Sequence, residues 1–210
     1  MHIDHQLAGK LSGILATIGF IPYLIAIIQR KMTASKASWI IWAVVGTALA
    51  LSYKTAGAKA SMWVPISYAV CPLVVLAAIF WKDRSREKWP KEDIVCLIIG
   101  LALFIPWSAF KVIEYLDMMP SWGIVLPRIT LYGGIAVDTF GAIPTVWKSW
   151  KNPKSESFWG WTFWVAGNLL NLLAVESWVP DVASYAIYIA TPCVFIWPAL
   201  FMYRIKSRKI

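Results

Sequence analysis

A single carboxylate lies in an apolar stretch that is long enough to cross a lipid bilayer. The segment DTFGAIPTVWKSW begins at Asp138 and ends at Trp150, about 18 Å away at ~1.5 Å per helical residue. Because a hydrocarbon core is ~30 Å thick, Asp138 is expected near the midplane. An ionisable group there costs roughly 3 kcal/mol or more and normally faces a cavity or a partner. Asp138 is therefore a candidate binding residue, and a structural hydrogen bond to a neighbouring helix is the alternative.

Tryptophans and asparagines in the next predicted helix form a second candidate site. They occupy positions i, i+3, i+7 and i+10, within about 80° of one face at ~100° per residue: Trp161, Trp164, Asn168 and Asn171. Unsatisfied amides are costly in lipid, so this face should point into the bundle. Asn168 and Asn171 could bind a polar solute or, equally, bond a neighbouring helix.

The tryptophans of this helix have counterparts earlier in the chain. Trp42 and Trp164 are predicted at a depth that suits stacking on a solute or gating it. Trp39 and Trp161 lie three residues, about 4.5 Å, nearer the membrane surface, and we expect them in the interfacial aromatic belt. The five candidate solute-binding residues are therefore Asp138, Asn168, Asn171, Trp42 and Trp164.

The composition is typical of a polytopic membrane protein. The 210 residues are 59% hydrophobic, include 14 tryptophans and have a mean hydropathy of +0.62. Seven spans are predicted, at 7–29, 37–55, 62–81, 93–112, 122–148, 157–176 and 181–203. We predict no enzymatic activity, no metal site and no cofactor, because no catalytic motif, metal spacing or intramembrane histidine occurs in the sequence.

The net charge of +9 is concentrated in alternate loops, which argues against nucleic-acid binding. Fifteen of the 20 basic residues fall in four groups: Arg30, Lys31, Lys36; Lys82, Arg84, Arg86, Lys88, Lys91; Lys148, Lys151, Lys154; and Arg204, Lys206, Arg208, Lys209. Loops rich in Lys and Arg stay in the cytoplasm. We therefore expect a cell-membrane protein with the N-terminus outside and the C-terminus inside, which requires an odd number of spans.

The chain contains an internal repeat. A shift of 122 residues aligns Thr17 with Thr139, Gly19 with Gly141, Pro22 with Pro144, Ser35 with Ser157 and Trp42 with Trp164. The third helices also repeat, as WVPISYA from position 63 and WVPDVASYA from position 178. The predicted organisation is a three-helix repeat at 1–81, a loop and linker helix at 82–121, and a second repeat and tail at 122–210. Parallel repeats are a transporter architecture, and the matched prolines Pro22 and Pro144 are candidate hinges.

The two stretches that follow the matched prolines resemble a known superfamily. They read PTVWKSWKNPKSESFWGWTFWVAGNLLNLLAV from Pro144 and IPYLIAIIQRKMTASKASWIIWAVVG from Ile21. With the three-plus-one-plus-three plan, they resemble the PQ-loop superfamily, which includes SWEET sugar transporters, lysosomal amino-acid exporters and the KDEL receptor. Tyr23 and Thr145 stand where that motif has glutamine. The Trp and Asn pairs also resemble those of Pnu vitamin transporters, which share this plan.

The resemblance implies an all-α membrane protein of seven helices that transports a small polar solute by alternating access. Asp138 would bind a proton or a cationic or hydroxyl-bearing group, so proton coupling is an open alternative. A receptor or scaffold of the same fold is the rival function, and it would need cations in the cavity. We expect Arg128 to extend to the outer interface instead, toward Glu114 or Asp117. The expected partners are the solute, protons and the bilayer, and oligomerisation is left open.

Overall fold

The chain is helical throughout the part that the structure describes. The computed structural model describes residues 4–82, 89–116, 118 and 125–207, except for the side chains of Glu114 and Leu126. These ranges contain seven α-helices and no strand: α1 His5–Ile28, α2 Lys36–Thr55, α3 Trp63–Lys82, α4 Lys91–Tyr115, α5 Val125–Lys151, α6 Phe158–Leu173 and α7 Pro180–Ser207. The predicted all-α class is confirmed, and each predicted span corresponds to one helix.

Six of these helices are long and apolar enough to cross a membrane. The remaining one, α6, has 16 residues and is shorter than the span predicted at 157–176. Large apolar side chains cover the outside of the bundle, including Ile98, Ile105 and Val70, each more than half exposed. Such a surface would be unfavourable in water and suits contact with lipid. The fold is that of a multi-pass membrane protein.

Side-chain caps fix where three of the helices begin. Asp4 caps α1 by accepting a hydrogen bond from the Leu7 backbone N–H. Ser35 caps α2, and its repeat-matched partner Ser157 caps α6 in the same way, through the backbone N–H three residues later. A cap satisfies a backbone donor that has no partner within the helix. The serines matched in sequence are thus matched in structural role.

Each of the seven described helices packs against at least two others. α1 packs against α6 and α3, and α2 packs against α5 and α3. α7 packs against α5 and α6, while α4 lies against α5 and α2. The buried core runs through all these contacts and is rich in aromatic side chains, among them Tyr23, Trp39 and Trp164.

Several residues used in the sequence predictions lie outside the described part of the chain. They are Arg84, Arg86, Lys88, Arg208 and Lys209 of the basic groups, together with Asp117 and the side chain of Glu114. The predicted boundary between 121 and 122 also falls there. The domain limits and the two acidic partners expected for Arg128 therefore stay predictions.

Candidate functional site

An aromatic cavity lies between the helices of the two predicted repeats. It holds about 620 Å³ of atom-free space, part of it open to solvent. Fifteen side chains from α1, α2, α3, α5, α6 and α7 line it: Phe20, Trp39, Trp42, Gly46, Leu49, Tyr68, Pro72, Asp138, Trp161, Trp164, Tyr185, Tyr188, Ile189, Pro192 and Cys193. Three of the five predicted binding residues are in this set.

Asp138 supplies the negative charge of the cavity. The Tyr188 hydroxyl of α7 donates a hydrogen bond to Asp138 Oδ2 at 2.8 Å. Asp138 as a residue is partly exposed, although it lies in the middle of α5. A carboxylate that accepts a single hydrogen bond has acceptor capacity left for a ligand. The structure therefore places Asp138 where a solute could reach it, and its role in binding stays a prediction.

Trp42 and Trp164 are both part of the cavity wall, and Trp39 contacts both rings. The indole N–H of Trp164 donates to the Ala16 carbonyl at 3.0 Å, which attaches α6 to α1. Its ring packs edge-on to Phe20, with 4.9 Å between the centroids. Glycine at position 19 allows Trp164 to approach α1 this closely, since a Cβ there would lie 2.6 Å from Trp164 Nε1. A side chain at Gly19 would displace the wall.

The prediction that Trp39 and Trp161 belong to an interfacial belt is wrong. Both side chains are buried, with 2% and 3% of their surface exposed, and both line the cavity. Trp39 packs edge-on to Trp42 at 5.1 Å, and Trp161 packs edge-on to Trp164 at 4.9 Å. Depth along a helix suggested a surface position, but the direction of the side chain decided the environment. The tryptophans of α2 and α6 thus form one continuous wall.

The two asparagines of α6 lie behind this wall. Asn168 is fully buried, and its Nδ2 donates to the Tyr68 hydroxyl at 2.7 Å and to the Trp164 carbonyl at 2.9 Å. Its Oδ1 accepts no hydrogen bond from the described part of the chain. Asn171 is also buried, and only a long contact of 3.5 Å joins it to Ser12 on α1. Asn168 thus contacts a cavity-lining residue, Tyr68, and does not itself line the cavity. Direct solute contact by either amide stays a prediction.

The matched prolines lie inside unbroken helices. Pro22 is in the last third of α1 and Pro144 in the last third of α5. Neither lines the cavity. Each removes one backbone donor, which weakens the helix locally and permits bending. Their role as hinges stays a prediction.

Arg128 is paired at the surface of the bundle. Its guanidinium Nε donates to Asp181 Oδ2 on α7 at 2.8 Å, and 59% of the Arg128 side chain is exposed. It does not line the cavity, in agreement with the peripheral position expected from the sequence. Asp181 was not suggested by the sequence analysis; contacts of Arg128 with Glu114 or Asp117 lie outside the described side chains and stay predictions.

A buried carboxyl group that is bonded to the cavity-lining Trp161 was missed by the sequence analysis. The Tyr23 hydroxyl and Trp161 Nε1 both donate to Glu156 Oε2, each at 2.9 Å. Trp39 Nε1 in turn donates to the Tyr23 hydroxyl at 3.1 Å. Burial raises the pKa of the Glu156 carboxyl above its ordinary value, while Lys148 and the two donors act in the opposite direction. The four side chains tie α1, α2 and the loop before α6 together.

Two sequence features point to buried polar groups here. Tyr23 lies in an apolar stretch of α1, and a buried tyrosine hydroxyl usually finds a hydrogen-bond partner. Glu156 stands directly before the cap Ser157, in a loop that is otherwise basic. Neither fact identifies the partner, because the two residues are 133 positions apart.

Comparisons of the chain with protein-family models, with curated proteins and with solved structures found no match.

Proposed function

We propose that this chain is a membrane transporter that carries a small polar solute by alternating access. The observation that carries the proposal is the position of Asp138, a carboxylate on the wall of an aromatic cavity enclosed by helices of both sequence repeats. Keeping such a group within an apolar bundle is costly. Binding of a solute or a proton would account for its presence, whereas packing alone would be better served by an apolar side chain.

The proposal includes a PQ-loop-like arrangement of α1–α3 and α5–α7 as parallel repeats joined by α4. Three pairs of contacts support it: α1 with α6 corresponds to α5 with α2, α2 with α3 to α6 with α7, and α1 with α3 to α5 with α7. The matched caps Ser35 and Ser157 add to this support. Alternating access would then be a rocking of one repeat against the other about the cavity, with Pro22 and Pro144 as paired hinges.

The same proposal places the chain in the cell membrane with its C-terminus in the cytoplasm. Basic residues of the described chain cluster at the ends of α1, α3, α5 and α7 and at the helix starts that follow them. These ends share one side of a bundle with seven crossings, and basic loops are retained in the cytoplasm.

A receptor of the same plan is the rival function. A receptor for a peptide carboxylate would need cationic side chains in its cavity, since Arg and Lys are the residues that bind such groups. Among the described lining residues none is Lys or Arg. Arg128 is engaged with Asp181 instead. The charge of the cavity favours the transporter.

Reconstitution tests this function directly. The purified chain is first screened by thermal shift against sugars, amino acids, nucleosides and vitamins, because a ligand that binds the folded state raises the melting temperature. Uptake of the stabilising solute into proteoliposomes is then measured for the wild type, for Asp138→Asn and for the surface control Asp181→Asn. We expect uptake by the wild type and the control, and defective uptake by Asp138→Asn.

The form of the defect reports what Asp138 does. If Asp138→Asn exchanges solute but no longer accumulates it when a pH gradient is applied, the carboxylate carries a proton during transport. If its uptake is weaker at every pH, the carboxylate contacts the solute. Normal uptake by Asp138→Asn would remove Asp138 from the mechanism. Binding without uptake by the wild type would favour the receptor.

A further inference from the structure

The described wall of the cavity is aromatic on most sides and carries one charge. Eight of its fifteen lining residues have aromatic rings: Phe20, Trp39, Trp42, Tyr68, Trp161, Trp164, Tyr185 and Tyr188. The charged residue of this lining is Asp138. Aromatic faces carry partial negative charge and attract cations, with tryptophan the strongest. Asp138 and the ring faces that point into the cavity would therefore both attract a positive charge.

Three of the four tryptophans of the wall, all except Trp42, offer ring carbon atoms rather than hydrogen-bond donors. Trp39 Nε1 is occupied by the Tyr23 hydroxyl and Trp161 Nε1 by Glu156. Trp164 Nε1 is occupied by a backbone carbonyl of α1. Because an indole has a single N–H, none of these three rings can also donate to a solute. The wall is consequently poor in donors.

The tyrosines add little to this supply of polar groups. The Tyr188 proton is donated to Asp138, whereas the Tyr68 oxygen accepts from Asn168 and keeps its own proton for donation. A neutral polyhydroxy solute such as a sugar would need a partner for most of its hydroxyl groups, since each unpaired buried one costs ~1–3 kcal/mol. The described lining offers few such partners relative to its aromatic surface.

We infer that the cavity binds a small organic cation whose positive charge is spread over or shielded by carbon, with Asp138 as its counter-ion and the tryptophan faces around it. This inference rests on the proposed function, because it names the solute class of the same cavity. A strongly hydrated ion would lose its water shell without oxygen ligands to replace it. A weakly hydrated organic cation loses less and gains contact with the rings.

Binding to the purified full-length chain tests the charge requirement. Choline, tetramethylammonium and N-methylpyridinium are compared with 3,3-dimethylbutan-1-ol, the neutral carbon analogue of choline, and with glucose. Thermal shift and intrinsic tryptophan fluorescence give the affinities. We expect at least one cation to bind and choline to bind at least tenfold more tightly than its neutral analogue. Equal binding of that pair, binding of glucose alone, or no binding of any cation would overturn the inference.

Variants locate the binding in this cavity. Asp138→Asn should weaken cation binding at least tenfold, whereas Asp181→Asn, an aspartate paired with Arg128 at the surface, should leave it unchanged. Trp42→Leu removes a ring face and should weaken binding about three- to thirtyfold, while Trp42→Phe keeps a ring and should lose less. If Asp138→Asn does not fold, the comparison of Trp42→Leu with Trp42→Phe still tests whether the cation binds in this cavity. Equal affinities for Trp42→Leu and Trp42→Phe would contradict the aromatic part of the inference.

The two proposals fail in different ways. Cation binding without transport in proteoliposomes would reject the transporter and leave the cation site standing. Transport of a neutral solute, without cation binding, would reject the cation and leave the transporter standing.

Discussion

Replacing Tyr23 by phenylalanine tests whether the buried Glu156 network stabilises the bundle. The hydroxyl of Tyr23 donates to Glu156 Oε2 at 2.9 Å and accepts from Trp39 Nε1 at 3.1 Å, so its removal affects two partners. A hydrogen bond to a carboxylate contributes ~1.5–3 kcal/mol, and a buried indole N–H left without an acceptor costs ~1–3 kcal/mol. Since effects within one network are not additive, we expect a total loss of about 3 kcal/mol.

Thermal unfolding of the purified chain in detergent measures this loss. For a chain of this size, a change of that magnitude lowers the melting temperature by about 6–12 °C. Tyr132→Phe is a matched control, because the Tyr132 hydroxyl also donates to a carboxylate, Asp181, at 3.0 Å but at an exposed site. We expect the control to lose less than about 1 kcal/mol. Equal losses for the two variants would refute the view that burial makes the Tyr23 bond valuable.

Two further predictions concern the same region. Burial raises the pKa of Glu156, so the folded state binds the Glu156 proton more tightly than the unfolded state does. The stability of the wild type should therefore fall relative to that of Glu156→Gln as the pH rises from about 4.3, the pKa of an unperturbed Glu, to the raised pKa of the folded state. Melting temperatures of the two proteins that change in parallel with pH would contradict this. Gly19→Ala should lower the free energy of unfolding by roughly 1–3 kcal/mol, because its Cβ would lie 2.6 Å from the hydrogen-bonded Trp164 Nε1. Gly100→Ala should lower it less, because below 3.0 Å its Cβ would meet only the flexible end of the Ile41 side chain. A larger loss for Gly100→Ala than for Gly19→Ala would be evidence against the tight contact of α1 with α6.

The positions of the helices could be predicted because hydropathy is a local property of the sequence. The predicted spans at 37–55 and 181–203 correspond to Lys36–Thr55 and Pro180–Ser207, with ends set by nearby caps and prolines. The span at 157–176 was too long, because α6 already ends at Leu173. Apolar residues beyond that point, such as Ala174 and Val175, are buried in the core without being helical, and hydropathy does not separate these two cases.

The site was harder to predict, because it depends on which faces of distant helices meet. Asp138 could be singled out because a charge in an apolar run is visible in the sequence alone, and it lines the cavity; its role in binding stays a prediction. The direction in which Trp39 and Trp161 point depends on the pairing of α2 with α5 and of α6 with α1, which no local pattern encodes. Glu156 was missed for the same reason, because its partner Tyr23 belongs to the first helix.

With α6 as a membrane span, as the proposed function has it, the shortness of this helix would give the surrounding lipid a means to act on the cavity. Its 16 residues span about 24 Å, against ~30 Å for an average hydrocarbon core. Trp159, Leu169 and Leu173 are about half exposed, so part of this short helix faces outward. A bilayer of average thickness would then have to become thinner around α6, and each ångström of mismatch costs a fraction of a kcal/mol. Because the opposite face of α6 carries Trp161 and Trp164, membrane thickness would be felt directly at the cavity wall.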